Sequence, residues 1–498
     1  MPSPEQHPLP LLFLIGDTGG GHRSAATAVK QALDSELPGR FTPVIWDPLR
    51  GPDVPRLLRW FAGLYGPCIR LAPWLWWLFW RTSESPWVLA LVRRTLMAPV
   101  YGSVARAAQA CRPALIVAFH PMTADPAVRA RDRGGALAPV ITVITDLITA
   151  HLSWRDAAVD RVVVPSAAVA DLFARDGMPA ERYVPIGLPV AGEFCQPPLN
   201  EAEREDLKRE LGVHGKFLVV LTGGAEGSGG LRRRAAAILR QVEDVDVAVI
   251  CGRNRSLRRR LGRLAEQTGD GRLTAHGFVG NMADWLRCAD IVVGKAGPGT
   301  IAEATCCGAP LVLTSFVPGQ EEGNAEFVTE AGAGVYAPRP KELAAEIGRL
   351  RRDPVALAAM RAASVRAGRP GAAAAIARFI ADLAGLTEPA GAGAGAGSGV
   401  VPTGPAHAAH QAAPPATGAD RAAGPAGRQT DWPAGPALLP TLMVETPARA
   451  RSFYFLRNRR GFLQSRHGFL RKRRGWLKPP RSVPRLRRAR TAERSRAA

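Results

Sequence analysis

Residues 294–304 read GKAGPGTIAEA. A short apolar run at 291–293 enters the stretch and a helix-forming run at 300–304 leaves it, which describes a strand, a tight glycine turn and a helix start. The first N–H groups of a helix lack carbonyl partners and carry the positive end of its dipole, so such a junction favours an anion. Gly297 and Gly299 let a ligand reach the main chain, Pro298 gives up no needed donor, and Lys295 adds a full positive charge. Thr300 opens the helical run, and Glu303 sits one turn inside it, where a carboxylate can accept from sugar hydroxyls. The stretch reads as a cradle for a nucleotide diphosphate. Taken alone, it reads equally as an ordinary strand–helix connection with a solvated lysine.

The same grammar recurs on both sides. Downstream, a strand at 311–313 leads to PGQEEGN (318–324), and helices continue to about Leu386. Upstream, a strand at 217–221 runs into GGAEGSGG (223–230), one at 245–250 runs into CGRN (251–254), and one at 273–275 precedes Gly277, Phe278 and Val279. Beyond a proline-containing connection at 189–200, an earlier series places strands at 11–15, 114–119, 140–145, 161–164 and 183–186, spaced for helical crossovers and a parallel sheet. The first enters GDTGGGHRSAA (16–26), where Gly20 and Gly21 precede His22 at a helix start. Three consecutive glycines are a costly way to make an ordinary turn, which favours a working loop. His120 and Asp146 fall just past strand ends, where open α/β sheets place ligands; Asp146 opens TDLITAHLSW, with His151 and Trp154 close behind. The fold predicted is α/β, with two doubly wound, Rossmann-like domains facing a cleft, at 1–190 and 191–386, with the last helices free to pack back on the first domain.

Residues 56–81 carry Trp60, Trp74, Trp76, Trp77 and Trp80 interleaved with arginines, and apolar residues at 57, 61, 64, 65 and 68 share one helical face. No uncharged run there approaches the roughly 18 apolar residues of a spanning helix. Tryptophan with arginine suits the headgroup depth of a bilayer, so the segment reads as membrane-interfacial rather than as a core hairpin.

The net charge of +22 is concentrated at the C-terminus. Residues 449–498 hold 18 Arg and Lys against one acid, leaving +5 for the rest, so basicity says nothing about the folded part and nucleic acid is not expected as its partner. Residues 387–448 are dominated by Ala, Gly and Pro and are expected to form a disordered linker before this basic tail, in which RGFL, HGFL and RGWL recur every seven residues from Arg460. Seven cysteines with no CxxC pattern imply a reducing compartment, and the N-terminal apolar stretch reads as a strand, with no secretory signal evident.

GDTGGGHRSA, the His120-Pro121 turn, TDLxxxHxxW, CGRN, GFVxNMxxW, GKAGPGTIAEA and PGQEEGN, in that order over about residues 11–386, resemble the monogalactosyldiacylglycerol synthase and processive diacylglycerol glucosyltransferase group of glycosyltransferase family 28. The resemblance implies a GT-B fold and inverting transfer of a hexose from UDP-glucose or UDP-galactose to diacylglycerol, giving a β-linked glycolipid. The work would be done peripherally on the cytoplasmic face of a membrane containing anionic lipids. In-line displacement needs a base on the acceptor hydroxyl and stabilisation of the departing diphosphate. His22 is the base candidate, with Asp146 as alternative base or as its support. Gly223, Gly224, Lys295, Gly297, Gly299 and Thr300 would hold the diphosphate, Arg253 and Pro298 would also line the donor site, and Glu303 would take the ribose. The main chain at Phe278 and Val279 would take the uracil, and Gln320, Glu321 and Asn324 the hexose. Gly20, Gly21, His120, His151, Trp154 and the five tryptophans of 56–81 would face acceptor and membrane. No metal or other cofactor is expected: the only DxD, Asp244 to Asp246, begins a strand and reads as structural. Two alternatives are a UDP-GlcNAc-dependent transferase of the peptidoglycan-precursor type and a non-catalytic membrane or nucleic-acid tether.

Overall fold

In a computed structural model the described residues are 7–385, apart from 18–19, 53, 64, 96, 135–137, 156–157, 216 and 270; the expected linker and tail lie outside them. The chain opens with β1 (Leu9–Leu14), α1 (Gly21–Glu36) and β2 (Phe41–Trp46), then four short helices, α2 (Arg56–Gly63), α3 (Tyr65–Leu71), α4 (Pro73–Ser83) and α5 (Pro86–Thr95). Next come α6 (Ala98–Cys111), β3 (Leu115–Ala118), α7 (Pro121–Gly134), β4 (Val140–Val143), α8 (Leu152–Arg155), β5 (Arg161–Val164), α9 (Ala167–Arg175) and β6 (Tyr183–Pro185). The six strands are parallel in the order β2-β1-β3-β4-β5-β6.

After α10 (Glu201–Glu210) the pattern repeats: β7 (Leu218–Thr222), α11 (Leu231–Gln241), β8 (Asp246–Ile250), α12 (Arg255–Thr268), β9 (Leu273–His276), α13 (Met282–Cys288), β10 (Ile291–Lys295), α14 (Pro298–Cys306), β11 (Leu311–Ser315), α15 (Glu322–Glu330) and β12 (Gly334–Tyr336). This sheet is also parallel, ordered β12-β11-β10-β7-β8-β9. Helices α16 (Pro340–Arg352), α17 (Pro354–Ala367) and α18 (Ala372–Gly385) end the fold.

The strands are continuous apolar runs because helices cover both faces of each sheet. In β1, Leu12 and Leu14 face one way, packing with Val100 and Val104 of α6, while Leu11 and Phe13 face the other, packing with Val29 of α1. That second layer is completed by Ile376, Ile380 and Ala384 of α18, so the last helix packs back into the N-terminal core.

In the first sheet the strand order reverses between β1 and β3, and in the second between β7 and β10. Ligands of doubly wound folds sit at such points, outside the carboxyl ends of the strands. The loops there are 15–20 and 119–120 on one side, and 223–230 and 296–297 on the other.

Two expectations change. The edge strands β2 and β12 were not legible in the sequence, and 56–81 is three helices rather than one amphipathic face. Phe61, Leu64 and Tyr65 of that expected face lie outside the described side chains. The exposed surface also runs on to Trp87 and Leu91: among the described residues, ten of the fifteen large apolar side chains that stand exposed lie between Leu57 and Leu91. Among the described residues no single helix is long and apolar enough to cross a membrane.

Candidate functional site

The first wall of the cleft is built on α1. The helix begins at Gly21 after Gly20, whose φ is 90°, and no side chain caps its first N–H groups. His22 is half-buried there. Its Nδ1 lies 2.8 Å from the Phe119 carbonyl oxygen and 2.8 Å from Thr145 Oγ1. A carbonyl only accepts, so Nδ1 carries the hydrogen and Nε2 keeps its lone pair. Burial, partly offset by the Phe119 bond and by the charges of Asp17 and Asp47, lowers the imidazole pKa to about 4, so it stands neutral at physiological pH.

The carboxylate charges that act on His22 are those of Asp17 and Asp47. Asp47 ends β2 and accepts from the N–H groups of Asp17 (3.1 Å) and Leu49 (3.0 Å), tying the glycine loop to the sheet edge. Burial raises its pKa. Asp17 pairs with Arg23 (3.0 Å), whose hydrogen bond lowers the Asp17 pKa, and Arg50 donates to its carbonyl (3.1 Å). Asp17 lies in GDTGGGH, where the glycines dominate the local signal, and Asp47 follows a strand whose pattern Pro43 interrupts.

His120 is corrected from acceptor contact to framework. It is buried, its Nδ1 accepts from the Met122 N–H (3.2 Å) in the first turn of α7, and its ring packs edge-on against His22 at 4.5 Å. Gly16 makes room for it: a Cβ there would fall 2.5 Å from His120 Cδ2.

On the opposite wall, α14 begins at Pro298 with Gly297 as N-cap and no capping side chain, leaving the Gly299 and Thr300 N–H groups to a ligand. A Cβ on Gly299 would meet nothing within 4 Å. The same holds at Gly224 in the loop after β7, whose Ala225 carbonyl accepts from the Arg253 N–H (2.8 Å), so the loops holding Gly223 and Arg253 are joined by main chain. The Arg253 guanidinium lies 5.7 Å from the ring of exposed Phe278, next to half-exposed Val279 at the rim.

Lys295 is paired with Glu321 at 2.5 Å, and the other Glu321 oxygen accepts from the Val317 N–H (2.9 Å). Glu321 is thus a buried anchor of Lys295 and of the 317–321 turn rather than a hexose ligand. Asn324 is also buried: its amide donates to the Ala296 carbonyl (2.9 Å), while its Oδ1 has no partner among the described residues. Glu303 lies one turn into α14; burial, then the charge of Glu193, pushes its pKa up to about 7. Asp246, the second acid of the DxD, accepts from the N–H groups of His214 and Gly215.

Contacts across the cleft account for the remaining residues. Asp146 is buried and accepts from Trp154 Nε1 (2.6 Å) and, across the cleft, from Gln320 Nε2 (3.0 Å). Trp154 is fully buried, so it holds Asp146 rather than touching a membrane. His151 is likewise internal, bonded to Ser83 Oγ (3.1 Å) and Ser153 Oγ (2.8 Å), with Trp80 edge-on at 4.6 Å. Trp80 also turns inward and covers Gly319 of the second domain, where φ is +84° and a Cβ would sit 2.8 Å from the indole. Of the five tryptophans, Trp60, Trp74 and Trp77 face out, Trp76 is half-buried and Trp80 is an interdomain contact.

Residues 22–190 match the family described as monogalactosyldiacylglycerol (MGDG) synthase, and residues 218–376 match the glycosyltransferase family 28 C-terminal domain. Monogalactosyldiacylglycerol synthase 3, chloroplastic, of Arabidopsis thaliana is 32% identical over 350 residues, covering 67% of this chain and 72% of that protein. The chloroplastic enzyme of Spinacia oleracea is 31% identical over 350 residues, 68% of this chain and 65% of its own. Among solved structures, S. aureus MnaA with UDP superposes with a TM-score of 0.51 at 13% identity, over 77% of this chain and 100% of that one. The fold is GT-B.

Proposed function

This chain belongs to the monogalactosyldiacylglycerol synthase family, and from that premise we propose that it moves a hexose from UDP-galactose or UDP-glucose to diacylglycerol with inversion, giving a β-glycosyldiacylglycerol. The observation that carries the reading is the pairing of two walls. A neutral histidine whose Nε2 has no hydrogen-bond partner among the described residues stands at one strand-order reversal, and a helix start with no capping side chain stands at the other.

Each part then has a task. His22 Nε2 takes the proton of the acceptor hydroxyl as its oxygen attacks the anomeric carbon from the face opposite the diphosphate. The imidazolium so formed is met by the charges of Asp17 and Asp47. The departing UDP is received by the N–H groups of Gly299 and Thr300, with Lys295 held toward the same turn by Glu321. Glu303 accepts from the ribose and the main chain beside Phe278 and Val279 from the uracil, while the unpartnered Oδ1 of Asn324 takes a hexose hydroxyl. Gln320, fastened to Asp146, sets the hexose end of the site. These groups meet the diphosphate charge without a metal, so a chelator should leave the rate unchanged.

The acceptor arrives from a bilayer on which the exposed side chains of 57–91 rest, and the cytoplasmic face is the side assigned here. Incubation with labelled UDP-galactose and UDP-glucose on diacylglycerol vesicles tests the reading. Formation of a glycosyldiacylglycerol supports it and names the donor; release of UDP with no lipid product from either donor overturns it.

A further inference from the structure

The second domain carries a charged face that the proposed chemistry does not use. Helices α11 and α12 pack side by side on one face of their sheet, Leu231 and Ile238 sharing a core with Leu257 and Leu261. Their outer surfaces expose Arg232, Arg233 and Arg240 on α11 and Arg255, Arg258, Arg259, Arg260 and Arg263 on α12. Glu266 is the single acid in the two helices. Arg255, Arg259 and Arg263 recur every fourth residue and so form one stripe.

An exposed arginine in a folded domain commonly finds a carboxylate. Three acids of the same domain are already taken: Glu346 pairs with Arg349 (2.6 Å), Glu342 with Arg339, and Asp244 with Arg351 (3.0 Å), which leaves Glu266 and Glu243 as the exposed acids closest in sequence to eight exposed arginines. Among the described residues none of the eight arginines makes an ion pair, so their charge faces solvent uncompensated and both helices project a strong positive field. Both helices start at loops of the cleft, α11 after 223–230 and α12 after 251–254, so the face runs outward from the rim.

We propose that the α11–α12 face is an electrostatic docking surface for an anionic lipid bilayer, a second foothold in addition to the apolar helices of 57–91. Charge complementarity selects an extended polyanion. The apolar surface of 57–91 on the same compact unit selects a bilayer over nucleic acid, since exposed tryptophan and leucine offer nothing to a phosphate backbone but suit a headgroup layer. The inference rests on the reading that the chain works at a membrane, but its readout is binding, not transfer.

The test uses the full chain with Arg255, Arg259, Arg260 and Arg263 changed to Gln, and a second variant with Arg232→Gln and Arg233→Gln. Both are compared on phosphatidylcholine vesicles with and without phosphatidylglycerol. The expected result for the fourfold variant is binding to anionic vesicles about 30-fold weaker at low salt, with the difference vanishing at high salt. Neutral-vesicle binding and UDP affinity should be unchanged. Unchanged binding of both variants to anionic vesicles overturns the proposal. So does loss of single-stranded RNA binding with vesicle binding intact, which gives the face to nucleic acid. If no glycolipid is formed by any of these proteins, the transferase reading fails while the vesicle result still decides this one.

Discussion

If Glu303 holds the ribose as proposed, donor binding acquires a pH dependence of definite size. The Glu303 carboxyl is raised from 4.5 to about 7, first by burial and then by the charge of Glu193. Above that value it is a carboxylate and can accept from both ribose hydroxyls; below it the added proton removes one acceptor position. If the ionised form binds, the competent fraction falls from about nine-tenths at pH 8 to about one-tenth at pH 6, a loss of about tenfold in affinity, or about 1.4 kcal/mol. A UDP-hexose is the ligand of choice, because its diphosphate does not titrate in this range. Calorimetric titration across that interval should show the decline. Glu303→Gln should be weak and flat with pH, and Glu193→Gln should move the midpoint down. An affinity that stays constant between these limits in the unaltered protein would refute both the ribose contact and the reasoning from burial.

Three other outcomes are expected. His22→Ala should lower kcat about 100-fold or more with UDP-hexose affinity kept, and because the imidazole titrates near 4, the unaltered protein should show no His22 break in kcat between about pH 5 and 8. Near-normal turnover of the variant, measured with saturating donor, would remove the base from this residue. Trp74, Trp77 and Trp87 changed together to Ser should depress activity on vesicles far more than on detergent-dispersed acceptor, and equal losses would mean that these rings do not dock the protein. Gly319→Ala, at a positive φ and against Trp80, should cost about 1–3 kcal/mol in denaturant unfolding; a change below about 0.5 kcal/mol would show that the interdomain contact has slack.

What could be read from the chain was its local grammar. Strand ends, glycine loops and helix starts are encoded within a dozen residues, so the loops at 16–22, 223–230 and 294–300 were placed without coordinates. Strand β2 escaped because Pro43 interrupts it and its burial alternates, both tolerable only because it lies on the sheet edge. Asp47, at its end, escaped with it. Composition marked 56–81 as interfacial but carried no direction: Trp74 faces out and Trp80 faces in, six residues apart, because Gly319 on another domain receives the second ring. The roles of Glu321 and Asp146 likewise depend on partners 26 and 174 residues away, Lys295 and Gln320, which local spacing cannot name.

The return of α18 to the first core makes the N-terminal domain discontinuous. Its sheet is complete by Pro185, but the layer over Leu11 and Phe13 stays open until residues 372–385 leave the ribosome, after the whole second domain has been made. The order of synthesis therefore inverts the order of completion: the second domain can close first, and the first must hold an exposed apolar face through some 200 further residues of translation. During that interval chaperone binding should concentrate on the α1 side of the sheet. A nascent chain stopped near residue 370 should be more susceptible to proteolysis in its N-terminal half than in its C-terminal half.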